Sequence, residues 1–268
     1  MTTHRLNGGF STYNGFQLTV TKRSTYGLSF LAAYTFAKAL GTADTSGPGN
    51  YYDYGQDWYN RRSDYSVTSY NYPQHLKLSW IYDLPFGQQG RWLTSGPLSY
   101  IAGGWTVSAI HNYQSGAPMK MYTWTYDSSI LQNAGFRPDV LLPRDQQTGS
   151  KPENVIVDVG VPYLNREAFA DLPSTPGGMP LHFGNAPRYQ PDLRGWHGFG
   201  ENLSLIKRTP IKVTEGAYFE LRLDAINIFN RIGIANPDTN TSDPESFGMI
   251  YGKSGGPRTM QLGLRISF

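Results

Sequence analysis

The chain has 268 residues, of which 39% are hydrophobic, 16% charged and 14% aromatic, and it carries a formal net charge of +3. A mean hydropathy of -0.45 and the lack of any apolar run near the roughly 18 residues a membrane helix needs exclude a helical membrane protein. They do not exclude a membrane barrel, in which only alternate strand residues meet lipid. There is no cysteine, so disulfides and thiolate metal sites are excluded, and the small charge with interleaved signs argues against a nucleic-acid partner.

The first ten residues contain no apolar stretch of the kind a signal peptide needs. Alternation begins at residues 14–22, where Phe16, Leu18 and Val20 oppose Gln17, Thr19 and Thr21. A period of two means a strand with one apolar and one polar face. A turn is expected at 23–25. Residues 26–38 then carry Leu28, Phe30, Ala32, Tyr34 and Phe36 on one side, with Leu31 an apolar intruder on the other. In 75–84, Leu76, Leu78, Trp80, Tyr82 and Leu84 form the apolar face. In 104–114 it is Trp105, Val107, Ala109 and Tyr113, and residues 119–126 are read as an extension of that strand beyond the Gly116/Pro118 break. Segments 202–208 and 218–227 follow, with Leu203, Leu205, Phe219, Leu221, Leu223 and Ala225 outward. The chain closes on 259–268, where Met260, Leu262, Leu264, Ile266 and Phe268 alternate without interruption. Soluble strands average about five or six residues, whereas a tilted membrane strand needs about ten.

The connections between these strands sort by length. Those at 23–25 and 209–216 are short, and those at 39–74, 127–200 and 229–257 are long. Compact domains rarely hold structureless loops beyond about 15 residues, whereas outer-membrane barrels pair short periplasmic turns with long extracellular loops. Placing Phe268 at the periplasmic face orients every other strand. The short connections then fall on the periplasmic side and the long ones outside, with 85–103 the single exception. Trp80, Tyr82, Trp105 and Phe268 come out towards the periplasmic interface, where an aromatic girdle belongs.

Within the first long loop, Tyr51, Tyr52, Tyr54, Trp58, Tyr59 and Arg61 combine flat aromatic faces with a guanidinium group. Such faces stack on a sugar, peptide or chelate while polar neighbours fix its orientation, so this cluster is the candidate ligand-binding site. The run from Asp238 to Glu245 offers oxygens at a spacing suggestive of Ca²⁺, but lacks the glycine of an EF-hand loop and reads as a solvated turn. His4, His75, His111, His182 and His197 show no paired metal spacing and read as lumen-facing or loop residues. Glu220, Arg222 and Asp224 fall on one polar strand face as an internal ion-pair ladder rather than an acid–base pair. No catalytic constellation, cofactor or metal site is apparent, and an enzyme is not expected.

Several phrases carry a family likeness. They are Tyr13-Asn14-Gly15-Phe16-Gln17-Leu18-Thr19-Val20-Thr21-Lys22-Arg23, Ala33-Tyr34-Thr35-Phe36-Ala37-Lys38 and His75 through Gly87. Gly103-Gly104-Trp105-Thr106-Val107-Ser108, Gln114-Ser115-Gly116-Ala117-Pro118, Phe183-Gly184-Asn185-Ala186, Asp224-Ala225-Ile226-Asn227-Ile228-Phe229-Asn230 and the terminal strand follow in order. With these, the chain resembles the C-terminal barrel of TonB-dependent outer-membrane receptors, in particular the Oar-like group that carries a carboxypeptidase-regulatory-like domain. The resemblance implies an all-β, antiparallel transmembrane barrel segment with long extracellular loops, supplying about seven strands of a barrel of roughly 22. It implies that residues 1–268 are a C-terminal portion, with signal peptide, plug domain and TonB box lying elsewhere. It also implies residence in the bacterial cell outer membrane, with partners that include lipid, the plug and remaining strands, TonB through the plug, and a small extracellular nutrient. A soluble all-β carbohydrate-binding module and a simple porin are the competing readings.

If the terminal strand spans a bilayer, Leu264→Arg near the midplane is expected to cost about 2–4 kcal/mol. Gln261→Arg, on the polar face, is expected to be tolerated. Folding of both variants into liposomes measures the difference, and equal tolerance overturns the reading.

Overall fold

The computed structural model describes residues 8–44, 55–57, 59–88, 90–123, 136–149, 162–176, 180–211 and 216–268. Its strands are β1 (Ser11–Thr25), β2 (Leu28–Gly41), β3 (Ser66–Val67), β4 (Gln74–Asp83), β5 (Trp105–Gln114) and β6 (Asp139–Val140). They continue with β7 (Phe169–Ala170), β8 (Gly198–Pro210), β9 (Tyr218–Ile226), β10 (Gly233–Ile234), β11 (Lys253–Ser254) and β12 (Thr259–Ser267). One short helix, α1 (Pro97–Ala102), and two 3-10 turns, Arg61–Asp64 and Arg166–Ala168, interrupt them. No helix among the described residues is long and apolar enough to cross a membrane.

Seven long strands pair in the order β1-β2-β4-β5-β8-β9-β12, every neighbour antiparallel, with β3 added beside β2. These are the seven segments that the alternation marks. β1 and β12 stand at the two ends of the series.

The register decides what the sheet is for. Phe16 lies opposite Phe36, Leu18 opposite Tyr34 and Val20 opposite Ala32. One row runs through Leu28, Tyr82, Val107, Leu205, Leu223 and Leu262. Because side chains alternate with a period of two, matching one pair per interface places the apolar sets of all seven strands on one common face. No protein layer covers that face at β12, where Leu262 and Leu264 are each 66% exposed. The buried hydrophobic cluster lies elsewhere, in the long connections: Met119, Met121, Leu164, Ala168, Phe169, Leu193 and Phe247. A soluble sheet buries its apolar face and exposes its loops. Here the arrangement is inverted.

Antiparallel neighbours put 42–73, 115–197 and 227–258 at one end and the short connections at the other. The first short turn differs from expectation. Pairing continues through a register shift to Thr25 opposite Leu28, so the turn is Tyr26-Gly27 rather than 23–25. Both residues have positive φ, 55° and 83°, the conformation that two-residue hairpin turns prefer. Residues 119–123 do not extend β5 either. They make isolated bridges to other loop segments, while 124–126 lie outside the described residues. At Gly116 the backbone of Gly195 approaches so closely that a Cβ would sit 1.7 Å from its carbonyl oxygen. Together with Pro118, which lacks an N–H, this ends the ladder.

The 84–104 connection, too long for a periplasmic turn, folds back onto the rim of the apolar face. Trp105 and Lys207 oppose one another there. The Trp105 indole donates to the Ile101 carbonyl at 2.9 Å. The Lys207 ammonium donates to the carbonyls of Tyr100, Ile101 and Gly103 at 2.8–2.9 Å. These contacts hold α1 with Leu98 and Ile101 exposed, as suits a helix lying in a membrane interface.

Gly27 tests the hairpin. A Cβ there would meet the Asp83 carbonyl oxygen at 2.6 Å, at a positive φ. Gly27→Ala is expected to destabilise the sheet by about 1–2 kcal/mol or more. The readout is a lower temperature for conversion of the compact to the unfolded band on electrophoresis.

Candidate functional site

The three long connections form a folded cap over one end of the sheet, and buried charge holds it together. Arg188, in the second long connection, is enclosed. Its guanidinium donates to the Gly41 carbonyl at the end of β2 (2.9 Å) and pairs with Asp44 Oδ1 (2.8 Å). Nearby, Arg137 pairs with Asp64 at 3.1 Å, both side chains almost fully enclosed. Gln56 clamps the same region, donating to the Gly184 carbonyl at 2.8 Å and accepting from the Arg137 backbone N–H at 2.9 Å. Burial pulls the Arg137 guanidinium below its ordinary pKa, against the opposing pull of Asp64. Such pairs are stable when both partners are present and strongly destabilising when one is removed.

The second and third connections are joined through aromatic packing and a shared carboxylate. The rings of Phe169 and Phe247 meet edge-on, with centroids 5.6 Å apart. Asp171 accepts from the Thr241 hydroxyl at 2.6 Å and from Thr123 at 3.2 Å, and its other oxygen pairs with Arg166 at 2.8 Å.

Of the sequence-derived ligand residues, Tyr51, Tyr52, Tyr54 and Trp58 lie outside the described residues. Tyr59 is 99% exposed at the cap surface. Arg61 is half-buried and opens the 3-10 turn that ends on Asp64. The buried Asp64–Arg137 pair therefore anchors the backbone next to Tyr59. The same loop also exposes Tyr65, Tyr70 and Tyr72.

Below the cap, the polar face of the sheet is cross-linked. His75 meets the Asn112 amide at 2.7 Å, and Thr106 donates to Asp83 at 2.7 Å. The expected ladder at 220–224 takes a different form. Arg222 pairs with Asp224, which also accepts from Ser204, but Glu220 pairs across the strands with Arg208 at 2.7 Å. At 238–245 the side-chain oxygens of Asp238, Asn240 and Asp243 accept from backbone N–H groups two or three residues on. That is turn chemistry, and no metal-binding cluster occurs among the described residues.

One group escaped the sequence reading. His111, expected to face the lumen or a loop, stands on the apolar face opposite Leu78 and Glu201. The Trp80 indole donates to its Nε2 at 3.1 Å, and its Nδ1 lies 3.2 Å from the Tyr113 hydroxyl. Glu201, 1% exposed, has no aligned hydrogen bond to its carboxyl oxygens, but Arg231 reaches over from the third connection to within 3.0 Å. Arg231 also lies over the rings of Phe199 and Phe229. Strict parity along 105–113 was the available signal for His111. Nothing local reveals the Arg231 partner.

A protein-family model described as "Outer membrane beta barrel domain" matches residues 1–261. Comparison with curated proteins finds no match, and comparison with solved structures finds none.

The cap makes a direct prediction. Arg188→Met removes the cation that pairs with the buried Asp44 carboxylate, with an expected loss of about 3–5 kcal/mol of cap stability. Limited proteolysis should cut within 42–73 and 115–197 faster, while hydrogen-exchange protection of the long strands stays unchanged.

Proposed function

From the premise that this chain belongs to the outer membrane β-barrel domain family, we propose that it is the wall and extracellular cap of an uptake receptor. The cargo is a scarce nutrient, such as a chelate, saccharide or peptide, and import is driven through TonB. The observation that carries the reading is the cap. A pore needs an open mouth, whereas here the first and second connections are fastened by the enclosed ion pairs Arg188–Asp44 and Arg137–Asp64, and the third is tied to the second through Phe247 on Phe169 and Thr241 on Asp171. Buried charges of this kind hold a surface in one geometry, and a preorganised surface with exposed tyrosines is suited to capture of a dilute ligand. The resemblance of the strand and turn phrases to Oar-like receptors supports energy-coupled uptake.

In this proposal the ligand lands on the surface around Tyr59 and Arg61 and passes along the polar face beneath. The plug domain and TonB box lie in other parts of the protein, and TonB acts through the plug. The role is binding and passage without catalysis, in the outer membrane of a bacterium.

Uptake by cells expressing the protein, followed with and without a proton uncoupler, tests the proposal. Uptake abolished by the uncoupler is the expected result. A steady ion conductance in planar bilayers, indifferent to the uncoupler, would instead establish a porin. Tyr59→Ala with Arg61→Ala is expected to weaken ligand binding by at least about tenfold, the size of one well-packed contact pair. Unchanged affinity removes this surface from the binding site.

A further inference from the structure

At the short-connection end of the apolar face lies a concavity of about 340 Å³ lined by Lys22, Tyr26, Leu28, Trp80 and Tyr82. Lys22 lies opposite Phe30, which lies opposite Trp80. Its side chain therefore emerges from the apolar face itself, where a charge is costly unless it is compensated or reaches the interface. A second cation adjoins the lining through Tyr26, the Arg91 guanidinium lying 4.5 Å from the centre of that ring.

A second lysine on the same face shows what compensation looks like. Lys207 directs its ammonium onto three carbonyls at and just beyond α1. Lys22 makes no side-chain hydrogen bond or ion pair among the described residues. One lysine and three aromatic rings thus line a cavity on the side that meets lipid, with the Arg91 guanidinium over one of those rings, at the level where a bilayer places its phosphates.

We propose that this is a binding site for an anionic glycerophospholipid of the inner leaflet. The phosphodiester sits between Lys22 and Arg91, and the start of an acyl chain lies over Leu28, Trp80 and Tyr82. A zwitterionic lipid fits less well, because its own cation would face Lys22 and the lining holds no carboxylate to receive it. The volume falls in the range of sites that enclose a small ligand. The inference rests on the apolar face meeting lipid and is independent of the uptake proposal.

The test uses the full chain folded into liposomes of equal parts phosphatidylglycerol and phosphatidylcholine, extracted in mild detergent and weighed by native mass spectrometry. Phosphatidylglycerol should be retained in preference. Lys22→Gln and Arg91→Gln should each reduce its retention about fivefold, the contribution of one basic residue near an anionic surface. Lys22→Arg should preserve it, and Arg265→Gln, on the polar face, should leave it unchanged. Equal retention of the two lipids, or retention unaltered in Lys22→Gln, overturns the site.

Discussion

Everything in this protein depends on the one-to-one register of its seven long strands. A slip of one residue at any interface would turn a whole strand's apolar set to the other face. With every interface in step, the sheet presents one surface of Phe, Leu, Val, Ile and Trp, which stands open at β12, where Leu262 and Leu264 are exposed. At about 25 cal/mol per Å² of apolar area, such a surface cannot rest in water, and lipid is the medium that removes the cost. The backbone follows the same logic. Each interior strand satisfies its polar groups with two neighbours, as a strand in hydrocarbon must.

With the sheet's apolar face committed to lipid, the protein's own core has to form somewhere else. It forms in the cap, where Met121, Phe169 and Phe247 belong to one buried cluster. This changes what the long connections are. Their described parts are not loose loops but a second folded layer, tied to the sheet where Arg188 reaches the carbonyl of Gly41. The cost of enclosing the charges is offset by specificity of arrangement, and a fixed arrangement is what a recognition surface requires.

Two features soften the boundary between wall and surroundings. Towards the capped end, His111, Tyr113, Glu201 and Arg231 bring polar chemistry onto the apolar face. At the opposite end, α1 and the Lys22 cavity do the same with basic and aromatic groups. The two meet through Trp80, which lines the cavity and donates to His111.

The sequence by itself determined the strands, their two faces and the ends to which their connections belong. These are local consequences of a period of two and of chain direction, and residues such as Leu205, Leu223 and Leu262 announce them without reference to any partner. Only the tertiary structure decided which charges meet. Arg188 with Asp44 and Glu201 with Arg231 join residues distant in the chain, and nothing in the neighbourhood of either partner encodes the other. The same holds for the Tyr26-Gly27 turn, which depended on how far β1 and β2 stay paired, and for α1, whose place was set by Lys207. Alternation is written residue by residue. Ion pairs, caps and cavities are products of folding, because they exist only after separate segments have been brought into one place.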